Sequence, residues 1–432
     1  MPRTLRTWIA SSFALILSLA WPFACRAYSV LSHEAIIDSV WVTHIGPLLR
    51  KRFPNTTSEE LRNAHAYAYG GAIIQDLGYY PYGDKFFSDL AHYVRTGDFV
   101  EALLRDAQDI NEYAFALGAM SHYAADNEGH RLAVNLAVPL LYPELKKKYG
   151  DVVTYEDNPL THVKAEFGFD VLEVAKERYA PDAYHDFIGF QVAQPLLDRA
   201  FEETYGLKLS AVLVHEAKAI EAYRHDVSEL IPRATKVAWE VKEDDIKKDL
   251  PGMTRDRFLY NLSRASYEKS WGRDYRKPSL REKFLAFLFR VIPKVGPLRI
   301  LTFRAPTPQT EKMFEASFNA SLDRYRALLT ELGTGSVSLP NDNFDVGSET
   351  PSGKYRLNDD AYAELVDRLA KDNFSNATPV LRAEILRFYA DPNAPNAMKR
   401  NSRGWSRVQG ELEQLKHATP ASVGVSSTAA KP

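Results

Sequence analysis

Three residues with metal-binding side chains recur at four-residue intervals in SHYAADNEGH: His122, Asp126 and His130. On an α-helix that spacing puts them along one face. A core-facing stripe should be apolar, so this helix either exposes a polar face or holds something. A second pair of the same kind, His162 and Glu166, follows in THVKAEF, and Asp76, His92 and His33 precede them in QDLGYYP, SDLAHY and SVLSHEA. One His-x₃-Asp or His-x₃-Glu pair is commonly an i,i+4 surface contact. Two such pairs, one extended by a third ligand, within 45 residues point instead to nitrogen and oxygen ligands for zinc or another divalent ion. Eight such side chains exceed what one tetrahedral ion uses, so the pattern predicts a cluster of ions.

The elements that must position these side chains read as helices. From Tyr28 to about residue 232, apolar residues recur at three and four, as in SEELRNAHAYAYGGAII and VEALLRDAQDINEYAFALGAMSHYA. Ser58, ahead of Glu59 and Glu60, and Asp98 read as helix starts. Turns fall at GYYPYGD and near YEDNP. No sustained strand alternation appears, so the expected fold class is all-α.

Composition sets the frame. Among 432 residues, 45% are hydrophobic and 25% charged, which describes a globular protein, and a net charge of −2 names no partner by itself. Residues 1–27 differ: Arg3 and Arg6, an apolar run from Trp8 to Phe23, then Cys25-Arg26-Ala27 with small residues at −3 and −1. This pattern predicts a signal peptide cleaved after Ala27, with a retained N-terminal anchor as the other reading. Cleavage would remove three arginines, leaving 51 basic against 56 acidic residues and a net charge of −5. It would also remove Cys25, the only cysteine, leaving neither a disulfide nor a thiolate ligand. The expected location is exported, periplasmic or secreted.

Beyond the expected 28–232 domain, residues 233–332 read as a basic helical extension. Lys247 to Arg304 holds 15 Lys and Arg against 5 Asp and Glu. Within it, FLAFLFRVIPKV (Phe284 to Val295) reads either as a core helix or as a basic-apolar surface for peripheral contact with an anionic membrane. Residues 333–360 read as a long loop, 361–416 as two or three helices, and 417–432 as a disordered tail.

The ordered set Tyr28, His33, Asp76, His92, His122-x₃-Asp126, His130, His162-x₃-Glu166, with the phrases GYYP, FSDLAHY and ALGAMSHYAADNEGH, resembles the zinc-dependent phospholipase C family, which shares an all-α fold with fungal single-strand-specific nucleases. The resemblance covers roughly residues 28–170. It implies up to three Zn²⁺ ions. Asp76, His92, His122 and Asp126 would hold the first; His130, His162 and Glu166 the second; the Tyr28 backbone, His33 and the other Asp126 oxygen the third. It further implies phosphodiester hydrolysis, with Asp76 as the catalytic residue that orients or deprotonates water, a phospholipid as substrate and nucleic acid as the alternative. No protein partner is inferred.

Three features depart from the family pattern. Tyr28 stands where the family has Trp; Asp126 to His130 is shorter than usual; and the stretch around YPELKKKYGDVVTYEDNP reads as an inserted loop. Tyr79, Tyr80 and Tyr82 could face choline or stack on nucleobases, or simply pack the turn. His44, His65, His185, His215, His225 and His417 lack paired acids and read as structural or exposed, with His65 a possible supporting group.

Overall fold

The computed structural model describes residues 30–178, 190–227, 231–266 and 296–418. Tyr28, the expected signal peptide, His185, Phe284 to Val295 and nearly all of the expected tail lie outside these residues. Among the described residues no strand forms, and a lone bridge joins Asn343 to Ser348. The fold is all-α, as the sequence predicts.

The longer helices in chain order are α1 (Val30–Val40), α2 (Ser58–Gly71), α3 (Lys85–Tyr93), α4 (Thr96–Asp106), α5 (Ile110–Gly129), α6 (Pro159–Ala175), α7 (Gln194–Tyr205), α8 (Glu216–His225), α9 (Ile231–Asp249), α10 (Arg255–Ser266), α11 (Pro308–Thr334), α12 (Arg356–Lys371), α13 (Pro379–Phe388) and α14 (Ser402–His417). α5 is the central element. Asp109 caps it by accepting from the Asn111 and Glu112 N–H groups, and Glu112 to Gly129 are all buried. Burial on every side explains why this helix has no single apolar stripe in the sequence.

α2 and α5 cross at glycines. A Cβ on Gly71 would lie 2.0 Å from the Phe115 carbonyl oxygen, and one on Gly118 would lie 2.1 Å from that of Ala68. Only missing side chains permit backbones this close. The crossing brings the Ala72 carbonyl to His122.

α2 begins at Ser58, as expected, and Thr57 caps it in a capping box with Glu60. Asp98 lies in the first turn of α4 and receives the Arg95 guanidinium at 2.7 Å instead of capping the helix. The expected insertion at 142–159 is not simply a loop, because Pro143–Tyr149 is helical. The loop expected at 333–360 is shorter: α11 continues to Thr334 and α12 begins at Arg356.

One contiguous apolar core runs from Val30 to Leu415 and crosses the boundaries expected at 232 and 332. α11 lies along α5: Tyr325 Oη donates to the Leu117 carbonyl at 2.8 Å, and Arg324 reaches Glu128 at 3.2 Å. The chain between α11 and α12 is laid against α3, α4 and α5. Leu339 N–H donates to Glu101, Thr96 Oγ1 to the Asp342 carbonyl, and Phe344 N–H to the His92 carbonyl. A Cβ on Gly97 would meet the Leu339 carbonyl at 2.0 Å, so this contact too is backbone on backbone.

Candidate metal centre

Five segments bring their polar residues to one buried point. His33 comes from α1, whose first turn is held by Asp170 of α6: Leu31 N–H donates to Oδ2 at 3.0 Å and Ser32 Oγ to Oδ1 at 2.9 Å. Asp76 sits in a 3₁₀ turn, Ile74–Tyr79, directly after the α2–α5 crossing. His92 closes the last turn of α3, and α5 supplies His122 and Asp126. After Gly129 the helix widens into a π turn, His130–Val134, which carries His130. His162 and Glu166 lie one turn apart near the start of α6, which Pro159 opens and Asn158 caps.

All eight side chains are at most 4% exposed. Asp126 faces two ways. Its Oδ1 lies 3.4 Å from His33 Nε2, while its Oδ2 lies 3.1 Å from His122 Nε2 and 3.6 Å from His92 Nε2. Asp76 Oδ1 is 3.4 Å from His92 Nε2. Glu166 Oε1 is 3.4 Å from His130 Nε2 and 3.7 Å from His162 Nε2. Ligand atoms within 4.8 Å of one another form three groups: His33, His122 and Asp126; Asp76, His92 and His122; His130, His162 and Glu166.

The outward ring nitrogens of three histidines are tied to main chain. His92 Nδ1 meets the Ser88 carbonyl at 2.7 Å, His122 Nδ1 that of Ala72 at 2.9 Å, and His130 Nδ1 that of Phe344 at 3.1 Å. A donated Nδ1–H leaves each Nε2 as a lone-pair donor aimed inward. Inside, both Asp76 oxygens, both Asp126 oxygens and Nε2 of His92, His122 and His130 are buried without a hydrogen bond in good geometry. Buried polar atoms are normally satisfied. Here donors of the right chemistry for zinc face each other at distances that leave an ion's width between them, so the set fits a cation.

The charges are strongly interdependent. Burial would raise Asp126, but His122 and His130 beside it hold its carboxyl well below the usual range. Burial would lower His92, yet Asp126 and Asp76 push it up to about 10, and His130 is likewise raised well above its ordinary value by Asp126 and Asp345. Burial, then the neighbouring His122, holds His33 well below the ordinary range. Burial raises Asp76 and pushes Glu166 up to about 8.

Sequence reasoning missed Asp345, Phe344 and Tyr355. The Phe344 ring lies 5.3 Å from that of His92 and 6.0 Å from that of His122, and Asp345 Oδ1 is 3.3 Å from His130 Nδ1. The three tyrosines after Asp76 have separate partners. Tyr79 is buried 6.0 Å from His92, Tyr80 packs edge-on against Tyr223, and Tyr82 is 46% exposed beside His215. His65 is buried, but it pairs with Asp38 at 3.0 Å and stacks on Trp41. His44, His225 and His417 are at or near the surface.

No curated protein and no solved structure matches this chain. Residues 32–212 match the family described as zinc dependent phospholipase C, a span that contains all eight clustered side chains. Over that span, less than half of the chain, the sequence is similar to the zinc-dependent phospholipase C family.

Proposed function

We propose that the chain is an exported, zinc-dependent phosphodiesterase that cleaves glycerophospholipids to diacylglycerol and a phosphorylated head group. The observation that carries this reading is Asp126, which directs one oxygen to His33 and the other to His92 and His122. That arrangement suits a bridge between two ions. Asp76, His92, His122 and Asp126 would hold one zinc; His130, His162 and Glu166 a second; His33, the other Asp126 oxygen and the Tyr28 main chain a third. Bound zinc supplies Lewis-acid chemistry: it acidifies water and neutralises charge on a phosphoryl group.

The chain's own residues would do the rest. Asp76, whose carboxyl burial raises, would orient the attacking water and accept its proton. Glu166 would act as a ligand. The wall of Tyr79 and Phe344 around His92 would limit water. Cleavage after Ala27 would free the Tyr28 amine, and the Asp170 cap on α1 would hold that end of the chain near α6. The basic-apolar stretch Phe284 to Val295 would supply the membrane contact. Among the described residues no helix is long and apolar enough to cross a bilayer.

The test is to assay the zinc-loaded, exported protein on phosphatidylcholine vesicles and on single-stranded nucleic acid. Release of diacylglycerol is the expected result. Cleavage of the nucleic acid instead would assign the site to the nuclease branch of the same fold, and zinc occupancy with neither activity would make this a zinc-binding protein without turnover.

A further inference from the structure

His130 differs from the other two histidines whose Nδ1 meets main chain. The outward nitrogens of His92 and His122 meet one carbonyl each. His130 Nδ1 meets the Phe344 carbonyl at 3.1 Å and also the Asp345 carboxylate at 3.3 Å. Asp345 is 2% exposed and lies 215 residues downstream of His130, outside the family match at 32–212. Its two oxygens are divided. Oδ2 accepts from Tyr93 Oη at 2.8 Å and from Tyr355 Oη, which leaves Oδ1 for His130.

Main-chain contacts fix this carboxylate independently of its own side chain. Asp345 N–H donates to Asn343 Oδ1, and its carbonyl accepts from Asn135 at 2.7 Å. Asn343 pairs with Ser348, and Gly347 turns the chain at φ +69, where a Cβ would meet the Asn127 carbonyl at 2.5 Å. The loop therefore holds its shape through main chain and Asn343. Tyr93 follows His92 on α3, so the same carboxylate also touches the helix that carries a ligand of the neighbouring group.

We propose that Asp345 is a positioning residue for the His130, His162 and Glu166 metal position: its carboxylate fixes the Nδ1–H tautomer of His130, orients the ring and makes Nε2 a stronger donor. The proposal rests on the reading of those three residues as one zinc site. It makes the C-terminal half part of the metal centre, although among the described residues that half supplies no ligand.

The test compares four forms of the mature, zinc-loaded chain: parent, Asp345→Asn, Tyr355→Phe and His130→Ala. Zinc release to a chelator is followed with a metal indicator, and the cobalt-substituted forms are examined by visible absorption. Asp345→Asn should weaken one bound ion about 10–100-fold, the same ion that His130→Ala loses, with the others unchanged and that ion's cobalt bands shifted. Tyr355→Phe should weaken the same ion by less. An Asp345→Asn profile equal to the parent's, with one ion gone from His130→Ala, would overturn the proposal and leave the zinc reading intact. Equal weakening of every ion by Asp345→Asn would also overturn it, since that is a general structural effect. Full metal content in His130→Ala would remove the zinc reading itself and the proposal with it.

Discussion

In residues 32–212 the clustered side chains sit on helices or tight turns, one or two per element, and face inward. In residues 296–418 no side chain joins the cluster, yet Phe344 and Asp345 touch three of its histidines from behind. The first region supplies donors at spacings set by helical turns. The second supplies a strap, held by backbone contacts to α3, α4 and α5, that fixes how those donors point. The difference teaches that the boundary of a family match need not be the boundary of a functional unit.

The largest expected effect comes from breaking the first region. Asp126→Asn keeps the shape but replaces one ligand oxygen by an amide NH2 that cannot bind metal and removes the charge from the other. It should lose metal and turnover together, by more than the roughly 100-fold ceiling of an outer-shell change. Zinc stoichiometry and vesicle hydrolysis check it, and retained zinc with retained turnover would remove the bridging assignment.

Next is the crossing that delivers Ala72 to His122. Gly118→Val would drive side-chain atoms into the Ala68 carbonyl and should destabilise the fold by about 1–3 kcal/mol or more, with zinc affinity falling too. Denaturant unfolding with and without zinc separates the two effects.

On the C-terminal side, Phe344→Ala removes a fully buried ring. It should cost about 3–5 kcal/mol of stability, as large a loss as a core substitution within 32–212. If the C-terminal half were an accessory layer, unfolding would split into two transitions and Phe344→Ala would move only one of them.

Acid should weaken metal uptake. Histidine binds metal only when neutral. In the metal-free cluster His92 is pushed up to about 10, so it carries a proton at neutral pH that an ion must displace, and His130 is raised in the same direction by Asp126 and Asp345. Apparent affinity therefore rises with pH through the neutral range and falls as pH drops. His33, held low by burial, adds no slope there. Chelator competition at about pH 6 and about pH 8 should show tighter binding at the higher value together with proton release; a flat profile would contradict the charge assignment.

The smallest effect is expected at an exposed site outside both regions. Lys247 pairs with Glu243 at 2.6 Å on the exposed face of α9. Lys247→Ala should leave zinc content unchanged and shift stability by no more than about 0.5 kcal/mol.

The all-α class and the eight-residue grouping were legible in the sequence because helical periodicity converts spacing into direction. His122 with Asp126 and His162 with Glu166 are visible for that reason alone. Two things were not legible. The π turn that begins at His130 leaves no compositional mark, although His130 itself still follows Asp126 by one regular helical turn, its N–H bonded to the Asp126 carbonyl. Asp345 and Phe344 sit in NDNFDVGSET, which reads as turn chemistry, and their partners at the site, His130 and Tyr93, are more than 200 residues away. Loop sequence encodes local turns, and nothing in it says which distant helix the turn will cover.

The most direct measurement of the central claim is the zinc content of the mature protein, taken together with its N-terminal residue and the zinc content of Asp126→Asn. The account predicts a chain beginning at Tyr28 that holds more than one zinc, up to one for each of the three ligand groups, and an Asp126→Asn form that holds fewer. A mature chain that takes up no zinc, or an Asp126→Asn form with the parent's full content, would contradict it.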